Sequence, residues 1–153
     1  MGSPARFCFE TARLFIIFAP NKGIDMKKEA LITGATSGIG RATALRLAAE
    51  GYDITATGRR AERLETLRRE IEAAGGRCTA LVFDVRSEAE VRKFLSPLER
   101  VDLLINNAGL AAGLEHIDQG DTADWDAMID TNVKGLLYVT RVVTPKMVAA
   151  GGG

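Results

Sequence analysis

Short apolar runs alternate with longer segments of helical period from residue 26 onward. Runs rich in β-branched and aliphatic residues predict strands at residues 30–33, 53–57, 78–83 and 101–106. The segments between them predict helices over about residues 40–50 and 61–74, and a third opened by Ser87 with Glu90 in a capping box. This alternation is typical of an α/β fold with a parallel sheet and crossover helices. Right-handed crossovers place the strands in the order 3-2-1-4, half of a doubly wound sheet.

A last helical region begins at about Thr122 or Ala123, after Asp121, and continues to Met147 with apolar residues on more than one face. Such a helix usually packs on two sides. In one interpretation this helix contacts both the sheet and a partner subunit, so that the chain forms a homo-oligomer. In the other, the helix is buried under a second layer of helices. Pro145 is predicted to kink or end this helix, because proline lacks an N–H and crowds the preceding turn.

The first 25 residues differ in character from the rest of the chain. Their apolar run, residues 14–19, is far shorter than the roughly 20 residues that span a bilayer, so we predict no transmembrane helix. A secretory signal is the alternative, but Glu10 and the sequence after Pro20 make a poor cleavage region. We expect residues 1–25 to be a poorly ordered extension, and residues 26–153 to form one domain.

Composition narrows the function classes. The 20 basic and 20 acidic residues give a formal net charge of zero, which argues against nucleic acid or an anionic membrane as a partner. Cys8 and Cys78 form no C-x-x-C pair, which fits a reducing compartment and predicts a cytoplasmic location. His116 lies near Glu115 and Asp118, but no second histidine or thiol has ligand spacing, so we predict no metal site.

A glycine-rich turn follows the first strand and opens the first helix. Backbone N–H groups and the positive end of the helix dipole make such a turn a phosphate site, as in Rossmann-like folds. Gly38 lets the backbone approach a pyrophosphate, and Gly40 lets the helix lie close to the strand. A tight turn without a ligand is the alternative. The candidate binding residues of this turn are Gly34, Ala35, Thr36, Ser37, Gly38, Ile39 and Gly40.

The residues after the second and third strands indicate which dinucleotide binds. Arg59 and Arg60 follow the second strand where an acid would hold the ribose of NAD, and two guanidinium groups can bind a 2′-phosphate, which predicts NADP. The alternative is that they pair with Glu62 or Glu65. Asp84 and Val85 close the third strand, where the Asp84 carboxylate could accept from the adenine amine or simply cap a helix.

Four signatures occur together in order and at matching separations: the glycine turn, Asp84-Val85, residues 106–109 and Asn132. From residue 27 to its end the chain thereby resembles the short-chain dehydrogenase/reductase family, and within it the NADP-dependent 3-hydroxy acid (serine-type) dehydrogenases. The resemblance implies that Asn132 holds a water in a proton relay. It also implies two roles for the segment after the fourth strand: stabilising the central sheet, and lining the adenosine and nicotinamide-ribose side of the cofactor site. The residues of this segment are Asn106, Asn107, Ala108 and Gly109.

The family transfers hydride between a nicotinamide cofactor and an alcohol or carbonyl, with a tyrosine, a lysine four residues later and a serine. Tyr52 and Tyr138 are followed at four residues by Ala56 and Val142, so neither matches the catalytic tyrosine. We expect the chain to be the NADP-binding part of an oxidoreductase that acts on a small hydroxy or carbonyl substrate. We also expect its sheet to be incomplete after the fourth strand and the helix that follows it. Of the catalytic set it has Asn132 only, so we expect no turnover; a non-catalytic NADP-binding module or an inactive fragment is the alternative.

Overall fold

A four-stranded parallel sheet forms the centre of the structure, which is a computed structural model that describes residues 27–113 and 115–151. The sheet order is β3-β2-β1-β4, which confirms the predicted α/β fold and strand order. The predicted extension at residues 1–25 lies outside the described residues. The strands are β1 (Glu29–Ile32), β2 (Asp53–Gly58), β3 (Cys78–Val82) and β4 (Leu103–Ile105).

The described residues form five α-helices: α1 (Gly38–Ala49), α2 (Ala61–Ala73), α3 (Glu88–Leu95), α4 (Thr122–Ile129) and α5 (Leu136–Ala149). A π-helical turn, Asp130–Gly135, joins α4 to α5, so the predicted last helix is interrupted. The helix does not end at Pro145, which lies inside α5. The proline removes one bond to the carbonyl of Arg141, an exposed residue, so solvent can take the place of the missing N–H.

The core consists of one apolar cluster on each face of the sheet, because consecutive strand residues point to opposite faces. Ile32 and Ile54 pack with α1 and α2, whereas Leu31 packs on the other face with α3 and α5. Both faces are therefore covered, as a parallel sheet requires. The largest buried side chains of the flanking helices are Leu64, Leu67, Ile71, Val91, Leu95, Val139 and Val143.

The caps of α3 and α4 are set by side chains. Ser87 accepts a hydrogen bond from the N–H of Glu90 at 3.3 Å, as predicted. The second half of the predicted capping box is wrong, because the Glu90 carboxylate accepts from the N–H of Asp84 at 2.9 Å. The N–H of Ser87 is already bonded to the carbonyl of Asp84. At α4, the Asp121 carboxylate accepts from the N–H of Ala123 at 2.8 Å.

The apolar residues of the last helical region divide between the sheet and the surface. Val139 and Val143 are fully buried against the sheet. The exposed large apolar residues of this region are Ile129, Val133, Leu136, Leu137 and Val148. The described part of the chain contains no helix with the length and apolarity needed to cross a membrane.

Three carboxylates form a row at the amino ends of the strands. Glu29 is in register with Asp53, and Asp102 directly precedes the residue that pairs with Ala30. Burial of the Glu29 carboxyl raises its pKa; the charges of Asp53 and Asp102 add to this, and a hydrogen bond from Thr55 opposes it. This row lies at the end of the sheet opposite to the glycine turn.

Candidate functional site

A cleft of about 580 Å³ opens at the carboxyl ends of the strands. The strand order reverses there, since β1 is flanked by β2 on one side and β4 on the other. Open α/β sheets bind their ligands at this kind of position. The lining residues are Gly34, Thr36, Ser37, Gly38, Ile39, Gly58, Arg59, Arg60, Phe83, Asp84, Val85, Asn107, Ala108, Gly109 and Thr131.

The glycine turn is braced by the segment that follows β4. Thr33 Oγ1 accepts hydrogen bonds from the N–H groups of Asn107 and Ala108, both at 3.0 Å. The Asn107 side-chain amide donates to the carbonyls of Thr33 at 3.0 Å and Gly34 at 3.2 Å. Gly34 has φ +68°, and a Cβ there would lie 2.8 Å from Ala108 Cα. The turn and the segment after β4 therefore pack too closely for a side chain at residue 34.

The two later glycines of the turn have different environments. A Cβ on Gly38 would have no heavy atom within 4 Å, so this glycine leaves the mouth of the cleft open. A Cβ on Gly40 would overlap the Asn107 amide and lie 2.7 Å from the carbonyl oxygen of Gly34. Gly40 thus makes room for the turn and for Asn107, rather than for the strand itself as predicted. Ala35 is buried behind the turn, and its N–H donates to the Thr57 carbonyl at 2.9 Å.

The first turn of α1 presents its N–H groups without a side-chain cap. Ser37 is the N-cap residue, yet its side chain accepts no hydrogen bond from this helix, and the first turn contains no acidic residue. Gly38 and Ile39 line the cleft directly. The positive end of the helix dipole is therefore available to an anion in the cleft.

Two arginines lie beside this helix end. The Arg60 guanidinium donates to Thr36 Oγ1 from Nε at 3.1 Å and from Nη2 at 2.5 Å, and Nη2 also donates to Ser37 Oγ at 2.8 Å. The Arg59 side chain is 62% exposed and lies 3.9 Å from Asp84 Oδ2. Among the described residues neither arginine forms the alternative ion pair with Glu62 or Glu65, and Glu65 pairs with arginines of its own helix.

Asp84 is the acidic group that lines the cleft. Its carboxylate accepts from the N–H of Arg86 at 3.0 Å and from Arg86 Nη2 at 2.7 Å. Partial burial acts to raise the pKa of Asp84, but the hydrogen bonds and charge of Arg86, with the charge of Arg59, hold it below its usual range. The side chain does not cap α3, since Ser87 does. Arg86 is a partner that sequence reasoning missed, although it stands only two residues away.

Four predicted site residues lie outside the cleft lining: Ala35 and Gly40 of the glycine turn, and Asn106 and Asn132. Asn106 donates from Nδ2 to Thr140 Oγ1 at 3.0 Å and so connects the end of β4 to α5. Asn132 lies in the π-helical turn, where its Oδ1 accepts from the N–H of Leu110 and its Nδ2 donates to the Leu110 carbonyl, both at 2.8 Å. Its amide is thus engaged by backbone. The proton relay stays a prediction.

Three lining residues were not predicted. Gly58 and Phe83 each precede a predicted residue, so their position at the end of a strand was the available signal. Thr131 precedes Asn132 and lies in the π-helical turn. Among residues 27–113 and 115–151, no group of three histidine, cysteine or acidic side chains could hold a metal ion.

Comparison with known proteins identifies the family. The model of the short chain dehydrogenase family matches residues 28–153. The chain belongs to the short-chain dehydrogenase family. This confirms the resemblance read from the four signatures.

Individual members of the short-chain dehydrogenase family are closely similar to the chain. A probable NADP-dependent dehydrogenase of Haemophilus influenzae is 46% identical over 128 residues, which are 81% of this chain and 50% of that protein. The NADP-dependent 3-hydroxy acid dehydrogenase YdfG of Salmonella typhi is 43% identical over 127 residues, 80% of this chain and 50% of that protein. The closed form of a serine dehydrogenase complexed with NADP+ superposes with a TM-score of 0.76 and 42% identity, and covers 82% of this chain and 51% of that one. The chain spans about half the length of the curated relatives it matches.

Proposed function

We propose that residues 26–153 form the NADP-binding part of a short-chain oxidoreductase that transfers hydride between NADP(H) and a small alcohol or carbonyl compound. The observation that carries this proposal is the juxtaposition of the uncapped first turn of α1 with Arg59 and Arg60 in one cleft. An anionic ligand with two separate phosphate groups fits such a site. The names of the similar dehydrogenases point to a 3-hydroxy acid such as serine as the substrate class.

The lining residues fit this cofactor part by part. The N–H groups of Gly38 and Ile39 would bind the pyrophosphate, since the open space at Gly38 admits a close approach to the backbone. Arg59 and Arg60 would bind the 2′-phosphate. The ionised Asp84 carboxylate would accept a hydrogen bond from the adenine amine, because the low pKa keeps it an acceptor. The nicotinamide of bound NADP(H) supplies the hydride chemistry.

The remaining candidate residues complete the proposed site. Asn107, Ala108 and Gly109 would form the wall of the adenosine and nicotinamide-ribose side, since all three line the cleft. Asn132 would hold a water of the proton relay. The exposed apolar residues of α4 and α5 support a homo-oligomer formed through this region. Cys78 is a free, buried thiol, which fits the proposed cytoplasmic location.

The test is a fluorescence titration of the chain with NADPH and NADH. We expect NADPH to bind at least about tenfold more tightly, because only NADPH carries the 2′-phosphate that two guanidinium groups can bind. The double variant Arg59→Ala/Arg60→Ala should lose this preference. Arg63→Ala, an exposed arginine on the first turn of α2 outside the cleft lining, is the matched control and should keep it. Equal affinity for the two nucleotides, or no binding, would refute the proposal.

A non-catalytic NADP-binding module is the second candidate for this chain by itself. Tyr52 and Tyr138 pack in the two core clusters, and neither lines the cleft. Neither can therefore exchange a proton with a substrate there. We expect the isolated chain to bind NADPH but to reduce no NADP+ above a blank with serine or another 3-hydroxy acid. Turnover by this chain would refute the non-catalytic assignment.

A further inference from the structure

The Arg60 guanidinium is fixed by hydroxyl groups of the glycine turn. Thr36 Oγ1 accepts two of its three hydrogen bonds, and Ser37 Oγ accepts the third. Thr36 is buried, whereas Ser37 is exposed, so Thr36 is the better fixed of the two partners. These contacts use the donors of Nε and Nη2. Among the described residues Nη1 makes no hydrogen bond that would compete for its two remaining N–H groups.

The position of Thr36 depends on Gly58 at the end of β2. A Cβ at residue 58 would lie 2.6 Å from the Thr36 γ-methyl carbon, which is closer than such atoms can approach. The hydrogen bond from Ala35 N–H to the Thr57 carbonyl connects the same part of the turn to β2. The absent side chain at Gly58 therefore makes the space in which the Thr36 methyl group packs, with Oγ1 turned to Arg60.

Among the residues that the structure describes, Arg59 has no comparable support. Its side chain is 62% exposed, and it forms an ion pair with Asp84 at 3.9 Å. Asp84 in turn makes its short hydrogen bonds with Arg86. Of the two arginines, Arg60 is thus the one whose orientation is defined before a phosphate is bound. A guanidinium held in one rotamer loses less conformational entropy on binding an anion than an unconstrained one.

We propose that Thr36 is a positioning residue: it orients the Arg60 guanidinium so that Nη1 donates to a 2′-phosphate, and thereby sets the preference for NADP over NAD. This inference rests on the proposed NADP function and names the residue on which its cofactor selectivity depends. Thr36 itself makes no contact with the phosphate in this arrangement.

Thr36→Val tests the proposal in the full chain, with NADPH and NADH as the two probes. Valine keeps the methyl group beside Gly58 and removes the acceptor. We expect NADPH to bind about five- to tenfold more weakly, as expected for hydrogen bonds to a charged group, and NADH affinity to change by less than about twofold. Thr36→Ser keeps the acceptor and should stay within about twofold of the wild type for both nucleotides. NADH binding also shows whether each variant is folded.

A double-mutant cycle separates positioning from direct contact. In the Arg60→Ala background, Thr36→Val should weaken NADPH binding by less than about twofold, because Thr36 acts through Arg60. A full additional loss in that background would mean that the hydroxyl binds the phosphate itself and would overturn the proposal. Tighter NADPH binding by Thr36→Val, an equal loss for NADH, or an unchanged NADPH preference would overturn it as well. A wild-type chain that binds both nucleotides equally would instead refute the underlying NADP function.

Discussion

The same substitution, threonine to valine, should have opposite effects at two buried positions of this fold. Thr33 lies directly after β1 and Thr57 lies in β2, and both side chains are almost completely buried. Thr33 Oγ1 accepts from the N–H groups of Asn107 and Ala108. Thr57 Oγ1 has no hydrogen-bond partner among the described residues. Valine has nearly the shape of threonine, so the comparison isolates the hydroxyl group.

The contacts set the size of each effect. In Thr33→Val the N–H of Asn107 keeps a bond to the Ile105 carbonyl, but the N–H of Ala108 loses its partner. An unpaired, partly buried donor costs about 1–2 kcal/mol of the free energy of unfolding. In Thr57→Val the burial cost of an unpartnered hydroxyl disappears, which should stabilise the chain by about 1 kcal/mol. We therefore expect the two variants to differ by about 2–3 kcal/mol.

Urea unfolding followed by far-ultraviolet circular dichroism measures both free energies under the same conditions. Thr33→Ser, which keeps the hydroxyl and removes the methyl group, is the control for the lost acceptor and should destabilise less than Thr33→Val. If Thr33→Val and Thr57→Val agree within about 0.5 kcal/mol, the hydrogen bonds of Thr33 do not hold the glycine turn, and the reasoning is refuted.

Three further changes test other parts of the structure. Gly40→Ala should destabilise the chain by about 1–3 kcal/mol in urea unfolding, because its Cβ would overlap the Asn107 amide; a wild-type midpoint would contradict this. Glu29→Gln should stabilise the folded chain by on the order of 0.2–1 kcal/mol at pH 7, because the raised pKa of Glu29 means that its charge destabilises the folded state. This gain should vanish below pH about 4, where wild-type Glu29 is protonated in both the folded and the unfolded state. A gain that persists at low pH would contradict the electrostatic cause. Burial raises the pKa of Cys78 to about 11. In a Cys8→Ser variant the Cys78 thiol should therefore react with a disulfide reagent on the order of 100-fold more slowly in the native than in the unfolded protein. Equal rates would show that the Cys78 thiol is accessible in the native protein.

The sequence predicts the parts of this fold that depend on local chemistry. Alternating apolar runs give the strands and their order, and Ser87 gives the start of α3. Arg59 and Arg60 are found in the cleft because the carboxyl ends of parallel strands lie at one edge of the sheet. These features follow from neighbouring residues and from the handedness of crossovers, both of which are visible in a linear chain.

The parts that the sequence does not predict depend on contacts between distant residues. The sequence predicts one continuous helical region across the π-helical turn, whose Asn132 is bonded to Leu110, 22 residues away. Gly40 lies in the first turn of α1, yet the side chain that requires its small size is Asn107. Likewise, no local pattern shows that Thr36 is the partner of Arg60, since the two are 24 residues apart.

The reciprocal bonding of Asn132 and Leu110 has a consequence for how this chain tolerates changes in length. A side-chain amide supplies Leu110 with both a donor and an acceptor, as a neighbouring strand would. Eleven residues later, Asp121 secures the chain again by capping α4. We therefore expect insertions or deletions between these two anchors to leave the shape of the cleft wall unchanged.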